Sequence, residues 1–330
     1  MAAPEIFNST GRIMRASGGL FLVRLDRDGL PLSGETVKFR ARGGLRGSGP
    51  VAGDRVAVSY TEASVSGNLG TGDSAGLPGG AVESVLERKN SLIRPQMANL
   101  DRLFLIIASA SPDPSTLMTD KLLAACEYKN IEPCVIIGKC ELEPRSAALL
   151  RDTYEKAGYP VFVLSCRTGE GVGALKDYLR SVPDGSLCAF SGASGVGKTT
   201  LLNTLFPGIS LSEGEVSRKT GRGRHTTRVA ELFEFSPGEN SIFIADTPGF
   251  SMIDFEKFDF LPFEALPDCM REFRAVYPDC RWADCTHTGE KDCGVLAAVK
   301  DGRIAASRRE SYLEMYASLK KRADETFGKR

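Results

Sequence analysis

The sequence predicts a multidomain protein: a small β-barrel, a central α/β domain on a parallel sheet, and a C-terminal α-rich segment. Three observations predict this architecture. Short strand-like runs separated by glycines fill residues 1–90, apolar strands alternate with helical runs through 91–255, and cysteines cluster with a histidine within 256–330. Such alternation is typical of a parallel sheet, and short glycine-separated strands suit a small barrel.

The barrel region carries an alternating row of basic residues. Its strand candidates are residues 19–25, 35–41, 54–60 and 81–87. Lys38, Arg40 and Arg42 alternate along the second of these and just past its end, so one strand face would present three positive charges to a nucleic-acid backbone. A solvated strand face explains the same spacing equally well.

In the central region, apolar strands alternate with helices, which predicts a parallel sheet. Ligands of such a sheet bind at the carboxyl ends of its strands. Strands are predicted at 101–110, 131–137, 161–164, 187–190 and 241–245, with helices at 116–130, 146–157, 172–180 and 200–205.

A phosphate-binding loop is predicted between the strand at 187–190 and the helix that follows. Glycines there let backbone N–H groups face phosphate oxygens, Lys198 brings positive charge to the β- and γ-phosphates, and Thr199 offers a hydroxyl to Mg²⁺. A glycine-rich turn without a ligand would not account for the Lys-Thr pair. The nucleotide-binding residues predicted here are Gly192, Ala193, Ser194, Gly195, Val196, Gly197, Lys198, Thr199 and Thr200.

Two segments downstream of this loop predict γ-phosphate chemistry. Asp246 ends an apolar strand, where its carboxylate can hold Mg²⁺ through water, and Gly249 can donate a backbone N–H to a γ-phosphate. The segment 217–228 contains five basic residues and no acid. Thr226 or Thr227 within it could complete the Mg²⁺ shell only when a γ-phosphate is present, as in a GTPase switch.

The order of these parts is unusual. The strands that precede the phosphate loop end in Gly138-Lys139-Cys140-Glu141 and in Ser165-Cys166-Arg167, which are predicted to read and support the base. The chain order is therefore base reader, base support, phosphate loop, switch and Asp-x-x-Gly. This is a circular permutation of the usual GTPase order. With the stretches 88–95, 98–101, 223–227 and 246–250, the chain resembles the ribosome small subunit-dependent GTPase A family.

The resemblance implies an OB-fold barrel that binds rRNA, and a GTP hydrolase that acts in late assembly of the small ribosomal subunit and is stimulated by that subunit. It implies GTP and GDP as ligands, with Mg²⁺. We expect a cytoplasmic monomer without a membrane segment: no signal peptide is evident, the longest apolar runs are far too short to span a bilayer, and nine cysteines suit reduced thiols.

The base reader departs from the family pattern Asn-Lys-x-Asp. Glu141 offers the same carboxylate on a longer stem, and Lys139 can still lie along the base, but Gly138 cannot replace the Asn side chain. We therefore expect selectivity for guanine with weakened affinity.

His225 is the candidate for orienting the attacking water, because Phe250 follows the Asp-x-x-Gly motif where many GTPases place Gln. The alternative is that His225 contacts RNA phosphates together with Arg222 and Arg224.

The C-terminal cluster predicts one structural zinc. Four soft ligands fall within fourteen residues and leave no open coordination position. The alternative is unpaired thiols near a chance histidine. The predicted ligands are Cys280, Cys285, His287 and Cys293.

Two other functions remain open from the sequence. One is a nucleotide-gated RNA-binding clamp with little turnover, and the other is a P-loop NTPase unconnected to ribosomes. The formal net charge of zero argues against indiscriminate nucleic-acid binding, although basic surface is available locally.

Overall fold

The fold is described from a computed structural model, which describes residues 5–42, 49–61, 80–92, 96–207, 230–246 and 261–327. Within these residues no helix has the length and apolar character needed to cross a membrane.

The amino-terminal part is a closed five-stranded barrel. The first strand pairs with both the second and the fourth, which closes the sheet in the order β1-β2-β3-β5-β4. Alternating apolar side chains such as Ile13, Phe39 and Val58 fill its interior. The strands are β1 (Phe7–Ser17), β2 (Leu20–Leu25), β3 (Thr36–Ala41), β4 (Arg55–Tyr60) and β5 (Gly80–Val85).

Four of these strands agree with the predicted runs, whereas β1 was not predicted from the sequence. Its sequence, FNSTGRIMRAS, is mostly polar and carries Arg12 and Arg15, so it lacks the apolar alternation that marks a strand. The barrel nevertheless needs β1, because it joins two neighbouring strands and also one strand of the central sheet.

A short hairpin, β6 (Ser91–Leu92) and β7 (Met97–Ala98), connects the barrel to the central domain. Asn90 holds the backbone of Leu100 through both its amide atoms, and the Nδ2 of Asn99 donates to the carbonyl of Gly53 at 3.1 Å. Gly53 has φ of 88°, and a Cβ there would lie 2.1 Å from the carbonyl oxygen of Ala98. The connection is therefore packed tightly and requires glycine at this point.

The central sheet has the order β10-β9-β8-β11-β13-β12, and only β12 runs antiparallel to its neighbour. Strand β12 was not predicted from the sequence; it has five residues and joins the sheet to β1 through the pair Arg15 and Glu231. The strands are β8 (Arg102–Ala108), β9 (Glu132–Gly138), β10 (Val161–Val163), β11 (Leu187–Gly192), β12 (Glu231–Phe235) and β13 (Ile242–Asp246).

Helices cover both faces of this sheet. Leu123 and Tyr154 pack with the apolar side chains of one face, and Leu175 and Leu201 with those of the other. All four predicted helices are present, with ends that differ by at most two residues. They are α1 (Thr116–Tyr128), α2 (Pro144–Lys156), α3 (Val172–Ser181) and α4 (Lys198–Leu205).

The C-terminal region is helical and packs against α1. Its helices are α5 (Arg271–Arg274), α6 (Gly294–Lys300) and α7 (Ala306–Phe327). Tyr316 and Leu319 of α7 are buried in the core of this region, and Leu313 packs beside them. Arg308 of α7 is fully buried and pairs with Asp120 of α1 at 2.6 Å, which ties this region to the central domain.

Candidate functional site

The phosphate loop connects β11 to α4 at the carboxyl edge of the parallel sheet. Gly195 and Gly197 adopt φ of 80° and 94°, a conformation that side chains other than glycine rarely accept. A Cβ on Gly192 would lie 2.7 Å from the carbonyl oxygen of Ile106, so β8 leaves no room for one. The backbone conformation thus requires glycine at these loop positions. The N–H groups of the loop lie just before the start of α4.

Lys198 opens α4, and Thr199 follows it in the first turn. Both side chains are half-buried, whereas Ser194, Gly195 and Thr200 are exposed. A helix start carries partial positive charge and free N–H groups, which suits a phosphate anion. The loop therefore has the position and the exposure that a polyphosphate requires.

The predicted base reader lies beside this loop. The Nζ atom of Lys139 donates to the carbonyl oxygen of Gly195 at 2.7 Å and also to that of Ser111. Lys139 has φ of 57°, and the Ser109 hydroxyl donates to its carbonyl oxygen at 2.7 Å. These contacts fix the Lys139 side chain along the phosphate loop, as expected for a residue that lies along a base.

Glu141 borders a cleft of about 230 Å³ between the base reader and the phosphate loop. Its Oε2 atom is buried and has no hydrogen-bond partner among the described residues. The Ser165 hydroxyl is the main cause that lowers the pKa of Glu141, so the group is an ionised carboxylate at neutral pH. The cleft is also lined by Gly138, Lys139, Leu142, Cys166, Arg167, Val196, Gly197 and Thr200.

This arrangement can accept hydrogen bonds from a ligand with adjacent N–H donors. An ionised, buried carboxylate oxygen without a partner is costly, and a donor pair such as guanine N1–H and N2–H₂ would satisfy it. Adenine presents a lone pair at that edge and would leave the carboxylate unpaired. The cleft chemistry thus favours guanine over adenine.

Two predicted base-site residues lie behind the cleft. Cys140 is buried, with its Sγ atom 3.9 Å from Oε2 of Glu170, and burial raises the pKa of its thiol. Ser165 is fully buried and accepts a hydrogen bond from the backbone N–H of Thr168 at 3.1 Å. Neither the Cys140 nor the Ser165 side chain lines the cleft, whereas Cys166 borders it.

Asp246 is the last residue of β13, which runs parallel to β11. Because parallel neighbours end at the same edge of a sheet, the backbone of Asp246 reaches the phosphate-loop side. The other residues predicted for this chemistry lie outside the described part of the chain: Gly249, Arg222, Arg224, His225, Thr226 and Thr227.

The predicted zinc ligands converge. The ligand atoms of Cys280, Cys285, His287 and Cys293 all lie within 4.8 Å of one another. Nδ1 of His287 lies 3.7 Å from Sγ of Cys280 and 3.5 Å from Sγ of Cys293. A tetrahedral zinc with Zn–S of about 2.3 Å and Zn–N of about 2.0 Å has S···N edges of about 3.5 Å. The donor set and its spacing therefore fit Zn²⁺.

Surrounding side chains orient this cluster. The His287 ring is buried and stacks on Tyr277 with ring centroids 5.0 Å apart, which leaves Nδ1 facing the thiols. The backbone N–H of Gly294 donates to Sγ of Cys280 at 3.2 Å. Hydrogen bonds and stacking of this kind hold ligands in place around structural metals. Three thiols and one imidazole leave no position for a substrate.

The predicted basic strand face is on the outside of the barrel. Lys38 and Arg40 alternate with the buried Val37 and Phe39, and Arg40 is exposed. Arg42, just beyond β3, pairs with Glu83 at 2.7 Å. The strand thus has a basic outer face with Lys38 and Arg40. The positive charge of Arg42, beyond its end, is compensated by the carboxylate of Glu83.

A comparison with known families identifies the chain. Residues 85–256 match the RsgA GTPase family model. A protein of Alkaliphilus metalliredigens described as a small ribosomal subunit biogenesis GTPase RsgA is 35% identical over 95% of this chain and 98% of its own length. The chain belongs to the RsgA GTPase family.

Other RsgA relatives and solved structures agree in fold. A protein of the same description from Streptococcus pneumoniae is 36% identical over 95% of this chain and 96% of its own. The crystal structure of YjeQ from Thermotoga maritima superposes with a TM-score of 0.73, at 31% identity over 95% of this chain and 99% of that one. YloQ, described as a circularly permuted GTPase, gives 0.72 at 27% identity, with 96% of each chain covered.

The permuted RsgA order explains how the cleft is built. Strands β9 and β10, which precede β11 in the chain, place the base reader on the same sheet edge as the phosphate loop. The sequence did not single out Ser111, whose carbonyl oxygen accepts a hydrogen bond from Lys139, or Leu142, which lines the cleft. Arg167 also lines the cleft and belongs to the predicted base-support segment Ser165-Cys166-Arg167.

Proposed function

We propose that this protein hydrolyses GTP and acts in late maturation of the small ribosomal subunit, and that the subunit stimulates hydrolysis. The observation that carries the proposal is the cleft in which Glu141, with its unpaired carboxylate oxygen, lies opposite the phosphate loop. The relatives' description as small ribosomal subunit biogenesis GTPases supports the cellular role.

In this proposal each part of the site has one task. Glu141 reads the guanine edge, Lys139 lies along the base, and the loop glycines with Lys198 hold the phosphates. Mg²⁺, when bound with GTP, neutralises phosphate charge; Thr199, Asp246 and one of Thr226 and Thr227 would hold it.

Two residues outside the described part complete the proposed chemistry. Gly249 donates its backbone N–H to the γ-phosphate, and His225 orients the attacking water. We propose that contact with the small subunit brings the 217–228 segment to the γ-phosphate, because water-positioning groups act only when held within hydrogen-bond reach of the reacting atoms.

The remaining parts serve binding in this proposal. The amino-terminal barrel (residues 1–90) contacts rRNA through Lys38 and Arg40, with Arg42, Arg222 and Arg224 adding charge. The central domain (91–255) hydrolyses GTP. The C-terminal domain (256–330) carries one structural zinc on Cys280, Cys285, His287 and Cys293, and docks on the subunit. A monomer in the cytoplasm suits this role.

Co-sedimentation with purified small subunits tests the proposed partner. The full chain is loaded with a non-hydrolysable GTP analogue or with GDP and centrifuged with small or large subunits. The proposal expects binding to small subunits that is stronger with the analogue than with GDP, and none to large subunits. Equal retention with both nucleotides, or no retention on small subunits, would contradict it.

A further inference from the structure

A cavity of about 190 Å³ lies between the barrel and the central sheet, away from the nucleotide site. Asp184, Gly185 and Ser241 border it where β11 and β13 begin. The phosphate loop is at the other end of β11, a strand of six residues, roughly 20 Å away. The two sites are therefore separate.

Three arginines on adjacent strands form a row in this cavity. Arg12 of β1 is directly opposite Arg24 of β2 and also opposite Arg55 of β4. All three border the cavity. Like charges directly opposite one another across strands are destabilising unless anions compensate them.

The two outer arginines have carboxylate partners. Arg55 binds Asp26, with Nη1 to Oδ1 at 2.6 Å, and Arg24 binds Glu234 at 2.6 Å. Arg12, between them, has no carboxylate partner among the described residues. Its Nη2 donates to the carbonyl oxygen of Gly185 at 2.8 Å, while Nε and Nη1 are buried and lack hydrogen-bond partners in the described part of the chain.

No carboxylate among the described residues hydrogen-bonds to Arg12, although Asp101 and Asp26 lie near enough to act on its charge. The side chain is 8% exposed, and its guanidinium lies 4.7 Å from the centroid of the Phe243 ring. Burial lowers the pKa of Arg12, and Asp101 is the acid that most opposes this. Asp101 is itself held by Lys89 Nζ at 2.7 Å and by the backbone N–H of Leu187 at 2.8 Å.

The charges that border the cavity leave an excess of one positive charge. Arg27, at the rim with its side chain 75% exposed, is the fourth arginine that borders the cavity. The carboxylates that border it are those of Asp26, Asp184 and Glu234. A phosphate group carries negative charge and several acceptor oxygens, which match the planar N–H donors of neighbouring guanidinium groups.

We propose that this cavity binds one phosphate group, with Arg12 as its central ligand and Arg24 and Arg55 beside it. If the phosphate belongs to the backbone of an RNA strand, the site is an additional rRNA contact. This source of the phosphate rests on the proposed function, because it requires binding to the small ribosomal subunit. Where it is free phosphate, the site binds a small anion at the junction of barrel and GTPase domain.

Titration calorimetry with inorganic phosphate tests the site on the full chain saturated with GDP, so that the phosphate loop is occupied. The variants are Arg12→Met, which keeps side-chain length and removes the charge, and Arg15→Met. Arg15 is on the same strand, pairs with Glu231 and does not border the cavity. Far-ultraviolet circular dichroism and GDP affinity verify that both variants fold.

We expect one phosphate per chain in the wild type and in Arg15→Met, and binding weakened roughly tenfold to hundredfold in Arg12→Met, the scale of a lost charge-assisted hydrogen bond. The absence of phosphate binding in the wild type, with water filling the cavity, would overturn the proposal. Equal binding by all three proteins would overturn it as well.

The salt dependence of small-subunit binding identifies the source of the phosphate. If the source is rRNA, Arg12→Met should reduce the slope of log K against log salt by about one, whereas Arg15→Met should not. An unchanged slope combined with lost phosphate binding assigns the site to free phosphate. If the wild type does not bind subunits, only the proposed function fails. The calorimetry then still shows whether the cavity binds phosphate.

Discussion

Glu141→Gln should weaken guanine-nucleotide binding specifically. The substitution keeps the shape of the side chain and removes its negative charge. In the wild type, Glu141 borders the cleft, and its Oε2 atom has no hydrogen-bond partner among the described residues. Guanine therefore displaces no protein donor from that atom, and its hydrogen bonds to the carboxylate should stabilise the bound nucleotide.

A hydrogen bond to a charged group is worth about 1.5–3 kcal/mol, which corresponds to roughly 10- to 150-fold in affinity. We expect GDP affinity to fall by this factor in Glu141→Gln, while the much weaker ATP affinity changes little. Selectivity for guanine over adenine should consequently fall by a similar factor.

Competition against labelled GDP measures this effect with unlabelled GDP, GTP and ATP. Glu170→Gln is the matched control, because Glu170 is exposed, lies behind the cleft beside Cys140 and does not line it. The base-reading assignment is refuted if GDP affinity changes less than twofold in Glu141→Gln, or if the control loses as much.

Four further predictions concern the phosphates, the water, the metal and the connection between domains. Lys198→Ala should abolish hydrolysis and weaken GDP binding, measured by phosphate release and by competition. His225→Ala should leave GDP affinity intact and cut subunit-stimulated turnover roughly 10²-fold, as for loss of a water-orienting group. Cys285→Ser should lose the bound zinc found by elemental analysis and weaken subunit binding, with basal hydrolysis retained. Gly53→Ala should destabilise the fold by about 3 kcal/mol or more in urea unfolding, because its Cβ would meet the Ala98 carbonyl.

Each of these has a control or a contradicting result. Unchanged stimulated turnover in His225→Ala would remove that residue from the chemistry, and freshly purified wild-type protein without metal would refute the zinc assignment. Cys269→Ser changes a buried thiol outside the cluster and should retain zinc. Gly49→Ala places a Cβ with nothing within 4 Å and should unfold like the wild type; equal loss in both glycine variants would contradict the steric reasoning.

The sequence predicted the regular parts of the central domain well because its strands are continuous apolar runs and its helices are long enough to show periodicity. It missed β1 and β12 for the same physical reason. Both contain charged residues whose partners lie on another strand, such as Arg15 of β1 with Glu231 of β12. A pairing of this kind depends on register and is not visible along one segment.

The candidate site was predictable where local spacing determines it. The phosphate loop and the four ligands Cys280, Cys285, His287 and Cys293 lie close together in sequence, and the structure brings each set together. The contact of Lys139 with Gly195 and the row of arginines around Arg12 depend on distant segments, so they required the folded chain.

We propose that this cleft hydrolyses GTP in response to the small ribosomal subunit. The decisive experiment is single-turnover hydrolysis of γ-labelled GTP with and without purified small subunits, with large subunits as the control. We expect slow hydrolysis by the protein alone and a marked acceleration by small subunits only. A rate that is the same with and without small subunits would contradict it, and a chain that binds GTP on subunits without cleaving it would be a clamp.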